Sequence, residues 1–296
     1  MRVLNIGSLN LDHVYNVDHI ITPGETEATG GLNLYLGGKG INQSIALAKA
    51  GVRVCHGGLI GDDGQPFLDA CEEYGVDARY IRKIEEKTGH TVIQIDKHGQ
   101  NSILLYGGAN QRLTEGYVDE VLADFASGDI LLLQNEVNLL PYIVDKAYEK
   151  GMVIALNPSP YNEKLEKVDM TKISIFLLNE VEGAQISGST DPKEILKVML
   201  EKFPHARIVL TLGKDGAIYA DKAETYFQPI FSVKTVDTTA AGDTFTGYFL
   251  AGLTEGMPIP DILRMSAKAS SIAVTRSGAV PSIPYRKEVM EALQEA

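Results

Sequence analysis

The sequence has few of the features that mark secreted, membrane-spanning or zinc-dependent proteins. Cys55 and Cys71 are the only cysteines in 296 residues, too few for a disulfide framework and without metal-ligand spacing. The six histidines form no H-E-x-x-H or similar pattern, which argues against a metal-dependent hydrolase. No apolar run reaches the roughly 18 residues of a membrane helix, so we expect no membrane span.

Signals for export and for nucleic-acid binding are also missing. The first residues, MRVLNIGSLN, lack the basic region, apolar stretch and cleavage site of a secretory signal, so we expect a cytoplasmic protein. The net charge is −12 and the 27 basic residues are scattered, which disfavours an extended polyanion as a partner. One nucleotide at a local anion site remains compatible with this charge. No G-x-G-x-x-G follows a strand-like run, which argues against a dehydrogenase.

The pattern of apolar residues indicates an α/β fold. Hydrophobic residues make up 44% of the chain, enough for a large buried core. Short runs rich in Val, Ile and Leu predict buried strands at 3–6, 52–55, 130–133, 153–156, 173–178 and 208–212. Helical patterns lie between most of these runs, at 117–125, 140–150 and 192–203. Strands alternating with helices predict a mostly parallel central sheet covered on both faces.

A second kind of strand is predicted in the first third of the chain. Residues 32–36 alternate between apolar and polar, and 91–95 and 102–105 flank a turn at 96–101 as in a hairpin. Such half-exposed strands differ from the buried runs of the main sheet. We expect a single domain over residues 1–296, with a small β lid whose strands come from about 11–17, 30–37 and 91–106.

The segment 236–253, VDTTAAGDTFTGYFLAGL, carries the strongest chemical signal. Its small residues Ala240, Ala241 and Gly242 begin a predicted helix, so an anion can approach the first backbone N–H groups, where the helix dipole favours negative charge. Asp243, in the first turn, can then accept a proton from a hydroxyl while this anion hole stabilises a phosphoryl group in transfer. For an isolated aspartate, complementing the helix dipole is the simpler explanation.

The segment 37–50, GGKGINQSIALAKA, places three glycines around Lys39. They allow close approach of the backbone, and the helix that follows offers another N-terminus to polar ligand groups. A tight turn between a strand and a helix explains the glycines equally well. The loop is not a Walker P-loop, because Gly40 follows Lys39 where Ser or Thr is required.

Two later segments each allow a structural and a functional interpretation. In NEVE, Asn179 and Glu182 have the spacing of a helix capping box, and Glu182 could also reach a hydrated Mg²⁺, which binds few carboxylates besides substrate phosphates. Both roles are compatible. In TLGKDG, at 211–216, the glycines suit either a loop against a nucleotide or a plain turn.

The N-terminal segment 7–12, GSLNLD, places Asn10 and Asp12 two residues apart after the first strand. In an extended chain both side chains lie on one face, where they can together hold several hydroxyl groups of a polyol. Residues of these types in loops more often make turns.

These five segments occur in the order found in the ribokinase-like carbohydrate kinases of the phosphofructokinase B type, which the chain resembles over essentially its whole length. The signatures at 37–50 and 237–243 are specific to that family when they occur together. Asn10-x-Asp12, GGKG-x-NQ and the GGAN at 107–110 are most similar to its ribose-phosphorylating members. The resemblance implies a three-layer α/β/α body and a β lid that also joins two chains into a homodimer.

The resemblance also implies roles for individual residues. Asp243 would be the base, with the anion hole at Ala240, Ala241 and Gly242. Sugar hydroxyls would be held by Asn10, Asp12, Gly38, Lys39, Asn42 and Glu136. The nucleotide would contact Asn179, Thr211, Gly213 and Gly216, and Glu182 would serve Mg²⁺ through water. A monovalent cation, usually K⁺, would take oxygens, largely backbone carbonyls, from Asp237, Thr239, Ala273, Arg276, Gly278 and Ser282.

The activity expected from the resemblance is transfer of the ATP γ-phosphate to the 5-hydroxyl of D-ribose or a close relative. Ile41 stands where such proteins commonly have alanine, within the loop that contacts the sugar, which suggests a reshaped pocket. Deoxyribose, another furanose or a nucleoside therefore remain alternative acceptors. A sugar-binding regulator without catalysis is a further alternative, disfavoured because Asp243 and Gly242 are both present.

Overall fold

The structure, a computed structural model, describes residues 1–295. Its strands are β1 (Val3–Ile6), β2 (Asn10–Asn16), β3 (Gly31–Gly37), β4 (Val54–Ile60), β5 (Asp77–Lys83), β6 (Gly89–Ile95), β7 (Asn101–Tyr106), β8 (Ile130–Gln134), β9 (Val153–Asn157), β10 (Ile175–Asn179), β11 (Arg207–Thr211), β12 (Ala217–Ala220) and β13 (Thr225–Gln228). Its α-helices are α1 (Lys39–Lys49), α2 (Gln65–Tyr74), α3 (Glu115–Ala123), α4 (Leu140–Glu149), α5 (Glu180–Ser187), α6 (Pro192–Lys202), α7 (Ala241–Thr254), α8 (Ile259–Ala273) and α9 (Arg286–Gln294). Within these residues, no helix combines the length and apolarity needed to cross a bilayer.

The strands form a large sheet and a small one. The large sheet has the order β13-β12-β11-β10-β9-β8-β1-β4-β5, and its pairings are parallel except at the β11-β12-β13 edge. The small sheet, called the lid below, has the order β3-β2-β6-β7. In the lid, β2 pairs antiparallel with β3 but parallel with β6.

Two apolar layers cover the two faces of the large sheet. Along β8, Ile130 and Leu132 pack with residues of α1, α2, α7 and α8, whereas Leu131 and Leu133 pack with residues of α3 to α6. This division follows from the alternation of side chains along a strand. The predicted α/β fold with a mostly parallel sheet, in three layers, is therefore confirmed.

Most buried elements lie where the sequence predicts them. The strands predicted at 3–6, 130–133, 153–156, 173–178 and 208–212 are present, with ends displaced by at most two residues. The three predicted helices correspond to α3, α4 and α6. Six elements were not predicted, because their segments are short, partly exposed or mixed in polarity. They are β5, β12, β13, α2, α8 and α9.

The strand predicted at 52–55 is displaced, since β4 begins at Val54 and continues to Ile60. Its second half, HGGLI, contains two glycines that weaken the sequence signal of a strand. Gly58 is nevertheless buried in close contact, because a Cβ there would lie 2.6 Å from Leu9 and 3.0 Å from the Gly7 carbonyl oxygen. Close packing of this strand under the β1–β2 connection explains the glycine.

Candidate active site

The site lies where α7 begins, beyond the carboxyl ends of the parallel strands, the usual location of ligands in such sheets. Ala240, the residue before α7, has the left-handed φ of 58° and accepts a hydrogen bond from Thr244 N at 2.8 Å. The Ala241 N–H donates to the Thr238 carbonyl at 3.2 Å. Gly242 faces open space, since a Cβ there would meet no atom within 4 Å. The first turn is thus open to a ligand at Gly242.

Asp243 is buried in the first turn of α7, with 7% of its surface exposed. Asn42 Nδ2 donates to its Oδ2 at 3.1 Å, and Gln43 Nε2 donates to its Oδ1 at 2.9 Å. Two amide donors are matched to a group that, when ionised, only accepts hydrogen bonds. The carboxylate is therefore held in a fixed orientation by α1, and it does more than complement the helix dipole.

A polar cavity of about 220 Å³ lies in front of Asp243. Lys39, Glu182, Gly242 and Thr238 are among its lining residues. Burial lowers the pKa of Lys39, but attraction to the carboxylates of Asp243, Glu136 and Glu182 outweighs burial and raises this pKa above its ordinary value. The cavity therefore contains a permanent ammonium opposite a carboxylate, at a helix N-terminus that also attracts anions.

The NEVE segment forms the capping box that its spacing predicts. Asn179 accepts from the N–H groups of Val181 and Glu182, and Glu182 Oε2 accepts from Asn179 N at 2.8 Å. Glu182 is also buried, with 6% of its surface exposed, and it lines the polar cavity. The capping role is thus present, and Asn179 Nδ2 also donates to Glu182 Oε1 at 3.1 Å.

A second, larger cavity of about 520 Å³ adjoins the polar one and shares Asn179, Thr211, Thr238 and Gly242 with it. Its other lining residues include Gly213 and Gly216 of the TLGKDG loop and the apolar side chains Ile230, Phe231, Val233 and Val274. Gly216 has a φ of 121° and lies so close to Gln228 that a Cβ would be 2.2 Å from its carbonyl oxygen. All four residues expected at the nucleotide are therefore together in one cavity.

The residues expected at the sugar meet where β1, β2 and α1 come together. Gly38 has a φ of 97°, and a Cβ at Gly40 would lie 2.3 Å from Ser8 N, so the GGKG turn packs directly against the end of β1. The Lys39 N–H donates to Glu136 Oε2 at 2.9 Å, and the Ser8 hydroxyl donates to the same oxygen. Burial raises the pKa of Glu136 against the opposing effect of Lys39.

Asn10 and Asp12 share one face of β2, as their spacing predicts. Asn10 is buried, and its Oδ1 accepts from Asn110 Nδ2 at 2.7 Å, which leaves the Asn10 amide hydrogens for another acceptor. The Asp12 carboxylate accepts from the Thr91 hydroxyl at 2.6 Å, and burial raises its pKa. Asn10 pairs with Gly37 across the lid, which brings these side chains beside the GGKG turn.

The residues expected at a monovalent cation lie in two adjoining segments. Asp237 Oδ1 accepts from Thr239 N and from the Thr239 hydroxyl, and Asp237 Oδ2 accepts from Gly278 N at 2.9 Å. These hydrogen bonds join the segment before α7 to the segment after α8. Ala273, the last residue of α8, accepts from Arg276 N, and the buried Ser282 donates to the Ala279 carbonyl. Asp237 thus connects the two segments directly.

Ile41 does not face the cavity. Its side chain is completely buried in the apolar layer formed by α1, α2, α7 and α8, and it is absent from the residues that line the polar cavity. Ile41 therefore packs in the core, and its effect on the acceptor stays a prediction. A residue that follows Gly40 on α1 points to the core because the helix turns by about 100° per residue.

Several residues of the site were missed in the sequence. Gln43 contacts Asp243 directly; it is the last residue of GGKG-x-NQ, so the family likeness could have pointed to it, although its place in an amphipathic helix gives no signal of burial. Phe231 and its neighbours belong to a segment without regular structure, 229–236, so no periodicity marks them. Asn110 could have been found, since GGAN was part of the family likeness and its side chain bonds both Leu9 and Asn10.

Comparison with known proteins gives a consistent result. Residues 2–286 match the sequence model of the pfkB family carbohydrate kinases. A ribokinase of Haemophilus influenzae is 34% identical over 300 residues, covering 98% of this chain and 98% of that protein.

Solved structures of similar proteins have the same fold. A ribokinase of Cryptococcus neoformans in complex with ADP superposes with a TM-score of 0.87 at 33% identity, covering 98% of this chain and 99% of the other. A ribokinase of Arabidopsis thaliana complexed with ribose and ATP gives a TM-score of 0.86 at 28% identity, with 99% and 98% coverage.

Proposed function

The chain belongs to the pfkB family of carbohydrate kinases, phosphotransferases with an alcohol acceptor, and we propose that it transfers the γ-phosphoryl group of ATP to the 5-hydroxyl of D-ribose. The observation that carries this proposal is the position of Asp243, a buried carboxylate that lines a polar cavity together with Lys39 and Gly242. The relatives named above support ribose as the acceptor.

In the proposed reaction Asp243 acts as the general base. The sugar hydroxyl donates its hydrogen to the carboxylate, its oxygen forms a bond to the γ-phosphorus, and the bond from that phosphorus to the oxygen of the departing ADP breaks. The proton passes to Asp243. Lys39 and the open first turn of α7 at Gly242 stabilise the negative charge of the phosphoryl group, which is the main task in phosphoryl transfer.

The sugar would lie between α1 and the lid. Asn42 and Gln43 orient Asp243 from one side, while Asn10, Asp12 and Glu136 supply amide and carboxylate groups for the remaining hydroxyls. Asn42 Oδ1 is buried and has no partner among residues 1–295, and a sugar hydroxyl would satisfy it. An unsatisfied buried acceptor is unfavourable, so it indicates a place for a ligand donor.

The nucleotide would occupy the larger cavity, with its phosphates directed through Asn179 and Thr238 toward the polar one. The apolar residues Phe231 and Val274 suit a base, and the glycines Gly213 and Gly216 permit close approach of the loop. The shared wall between the two cavities runs along the beginning of α7. A phosphate chain along this wall would bring the γ-phosphate to Asp243.

The residues present fit a Mg²⁺ ion carried by the nucleotide. Among residues 1–295 there is no group of three or more acidic, histidine or cysteine side chains that could form a cage by itself. Mg²⁺ commonly keeps several waters and binds one or two carboxylates plus substrate phosphates, an arrangement that Glu182 at the cavity wall can support. When bound, the ion would neutralise phosphate charge.

We further propose a monovalent cation, K⁺, beside the segments that Asp237 joins. The oxygen ligands for this cation would come from the Asp237 carboxylate and from backbone carbonyls between Ala273 and Ser282, since hard cations prefer oxygen ligands. Its effect would be indirect, because the same segment leads directly into Ala240 and the first turn of α7.

We also propose that two chains associate through the lid. All six residues of β7 are exposed, and they include Ile103, Leu104, Leu105 and Tyr106. On β3, at the other edge of the lid, Leu32 and Leu34 are exposed as well. An exposed apolar patch of this kind usually marks an interaction surface.

The activity would take place in the cytoplasm, which agrees with two free cysteines.

The acceptor is tested by a panel that measures ADP release with ATP and Mg²⁺. We expect the highest kcat/KM with D-ribose, compared with 2-deoxy-D-ribose, another furanose and a nucleoside. The matched control is 5-deoxy-D-ribose, which lacks only the accepting hydroxyl and should release no ADP above background. A higher kcat/KM with another acceptor would show that this acceptor, and not ribose, is the preferred substrate. Sugar binding without ADP release would indicate a sugar-binding regulator.

A further inference from the structure

A line of buried polar side chains extends from Asp243 into the body of the protein. Behind Asp243 it comprises Gln43, Gln134, Asn5 and Ser44, each with no exposed surface. Gln43 Oε1 accepts from Gln134 Nε2 at 2.7 Å, and the same nitrogen donates to Asn5 Oδ1 at 3.1 Å. These residues come from α1, β8 and β1, so the line connects the carboxylate to the centre of the large sheet.

The line continues to a histidine. Asn5 Nδ2 donates to the Gly40 carbonyl at 2.7 Å and to the Ser44 hydroxyl at 2.9 Å. Ser44 Oγ lies 2.8 Å from Nδ1 of His56, which is completely buried. Burial lowers the pKa of His56 to about 4, so the ring is neutral at neutral pH and adds no charge to the line.

The donors and acceptors along this line allow only one orientation of each glutamine amide. An ionised carboxylate only accepts, so Gln43 must present its NH₂ group to Asp243 and its oxygen to Gln134. Gln134 must then present its own NH₂ group, which has two hydrogens for Gln43 and Asn5. A rotated amide at either glutamine would place oxygen against oxygen. Each amide therefore holds the next in the orientation that offers a donor to Asp243.

Stability alone gives a poor explanation of this arrangement. Gln134 Oε1 is buried without a partner among residues 1–295, an unfavourable position for an acceptor. Apolar side chains of the same shape would avoid that cost, and the surrounding layer is apolar. The feature that an apolar replacement would lose is the fixed donor at Asp243 Oδ1.

We propose that Gln43 is a positioning residue for the phosphoryl transfer, and that Gln134 acts behind it by fixing the orientation of the Gln43 amide. This inference rests on the proposed function, in which Asp243 is the base. Gln43 occupies Oδ1 and Asn42 occupies Oδ2, so the carboxylate cannot turn about its bond. One lone pair of the carboxylate is then kept toward the sugar hydroxyl.

The test compares Gln43→Met, Gln43→Glu and Gln134→Met with the unchanged protein, by steady-state kinetics with ribose and ATP across pH. Methionine keeps the length of the side chain and removes the amide. We expect Gln43→Met to lower kcat about 10- to 100-fold, the usual effect of a misplaced catalytic group, with the KM values for ribose and ATP nearly unchanged. Gln134→Met should lower kcat less.

The pH profile distinguishes positioning from a general structural defect. Without the Gln43 donor the ionised carboxylate is less stabilised, so the acidic limb of the kcat profile should move to higher pH, by about one unit. Gln43→Glu should move it further, because two adjacent carboxylates share a proton. The other charged groups around Asp243 are Lys39, Glu136 and Glu182, and they are the same in all variants.

Ser266→Ala is the matched control, since Ser266 is equally buried but donates only within α8, to the Ile262 carbonyl. It should leave kcat and the pH profile unchanged. Thermal unfolding and ribose binding show which variants are folded. If Gln43→Met does not fold, the kcat and pH profile of Gln43→Glu and Gln134→Met test the positioning role.

Unchanged kcat and pH profile in the folded Gln43 variants, with Asp243→Asn inactive, would overturn the positioning role alone. An active Asp243→Asn would instead overturn the proposed role of Asp243 as base, on which this inference rests, while the same turnover would leave the phosphoryl transfer to ribose in place.

Discussion

The body and the lid differ in the burial of their apolar side chains. In β8 of the body all five residues are buried, between helices on both faces, whereas in β7 of the lid all six are exposed. Strands of both kinds are rich in Leu and Ile. The body therefore buries its apolar side chains within one chain, whereas the lid leaves apolar side chains exposed. The candidate site lies at the boundary between them, with Asp243 in the body and Asp12 in the lid.

Truncating one leucine in each sheet gives the largest expected contrast in stability. Leu132→Ala in β8 removes a completely buried side chain and should lower the free energy of unfolding by about 2 to 5 kcal/mol. Leu104→Ala in β7, where 72% of the residue is exposed, should change it by less than about 0.5 kcal/mol. Urea unfolding at concentrations that keep the chain monomeric measures both. Similar losses would remove the distinction between the sheets.

A charge in the lid tests whether a second chain covers it. The unchanged protein should have twice the 32.1 kDa mass of the chain in sedimentation experiments, and Leu104→Asp should be a monomer, because an unpaired carboxylate is costly in an apolar contact. Phe227→Asp is the control, since Phe227 is exposed on β13, far along the chain from the lid. A monomeric parent protein would refute association through the lid.

A smaller effect is expected where the nucleotide meets the body. Phe231 lines the larger cavity, and Lys268 Nζ lies 4.6 Å from the centre of its ring. If the ring stacks on the base, Phe231→Ala should raise the KM for ATP about tenfold, since such stacking contributes about 1 to 3 kcal/mol. Phe227→Ala removes the same side chain outside the cavity and should leave the KM unchanged. Equal KM values in both variants would place the base elsewhere.

The smallest effect concerns the monovalent cation. We expect a higher kcat in potassium than in sodium buffer, and loss of that difference in Asp237→Ala, because Asp237 joins the two segments that would bind the ion. Asp221→Ala is the control, since this carboxylate accepts similar turn hydrogen bonds from Ala223 and Glu224 at the β12–β13 turn. Equal activity of the unchanged protein in both buffers would remove the support for a cation site.

The contrast between body and lid also explains what the sequence could predict. Buried parallel strands such as β8 appear as uninterrupted apolar runs, so their positions were found to within two residues. The strand β4 is displaced from its predicted position because Gly57 and Gly58 interrupt the apolar pattern, and Gly58 packs closely against Leu9. In the lid, β3 was predicted from alternation and β6 and β7 from the turn between them, but the parallel pairing of β2 with β6 has no signature in either strand alone.

Site residues that belong to sequence motifs could be predicted. Contacts that arise only from the packing of distant segments could not. Asp243 and Glu182 were found through the segments in which they occur. The contact between Gln43 and Gln134 was not predicted, although Gln43 lies in GGKG-x-NQ, because only the three-dimensional structure shows that two amides from distant segments meet behind a carboxylate. The burial of Ile41 in the apolar layer could not be predicted for the same reason, since membership of a loop motif does not decide which face of the helix a side chain occupies.

The central claim is that Asp243 is the base, and it is tested most directly by the turnover of Asp243→Asn at saturating ribose and ATP. Asparagine keeps the shape of the side chain but cannot accept the proton, so kcat should fall by roughly 10²- to 10⁴-fold while the thermal unfolding midpoint stays close to that of the unchanged protein. Turnover near the original rate in this folded variant would contradict the account.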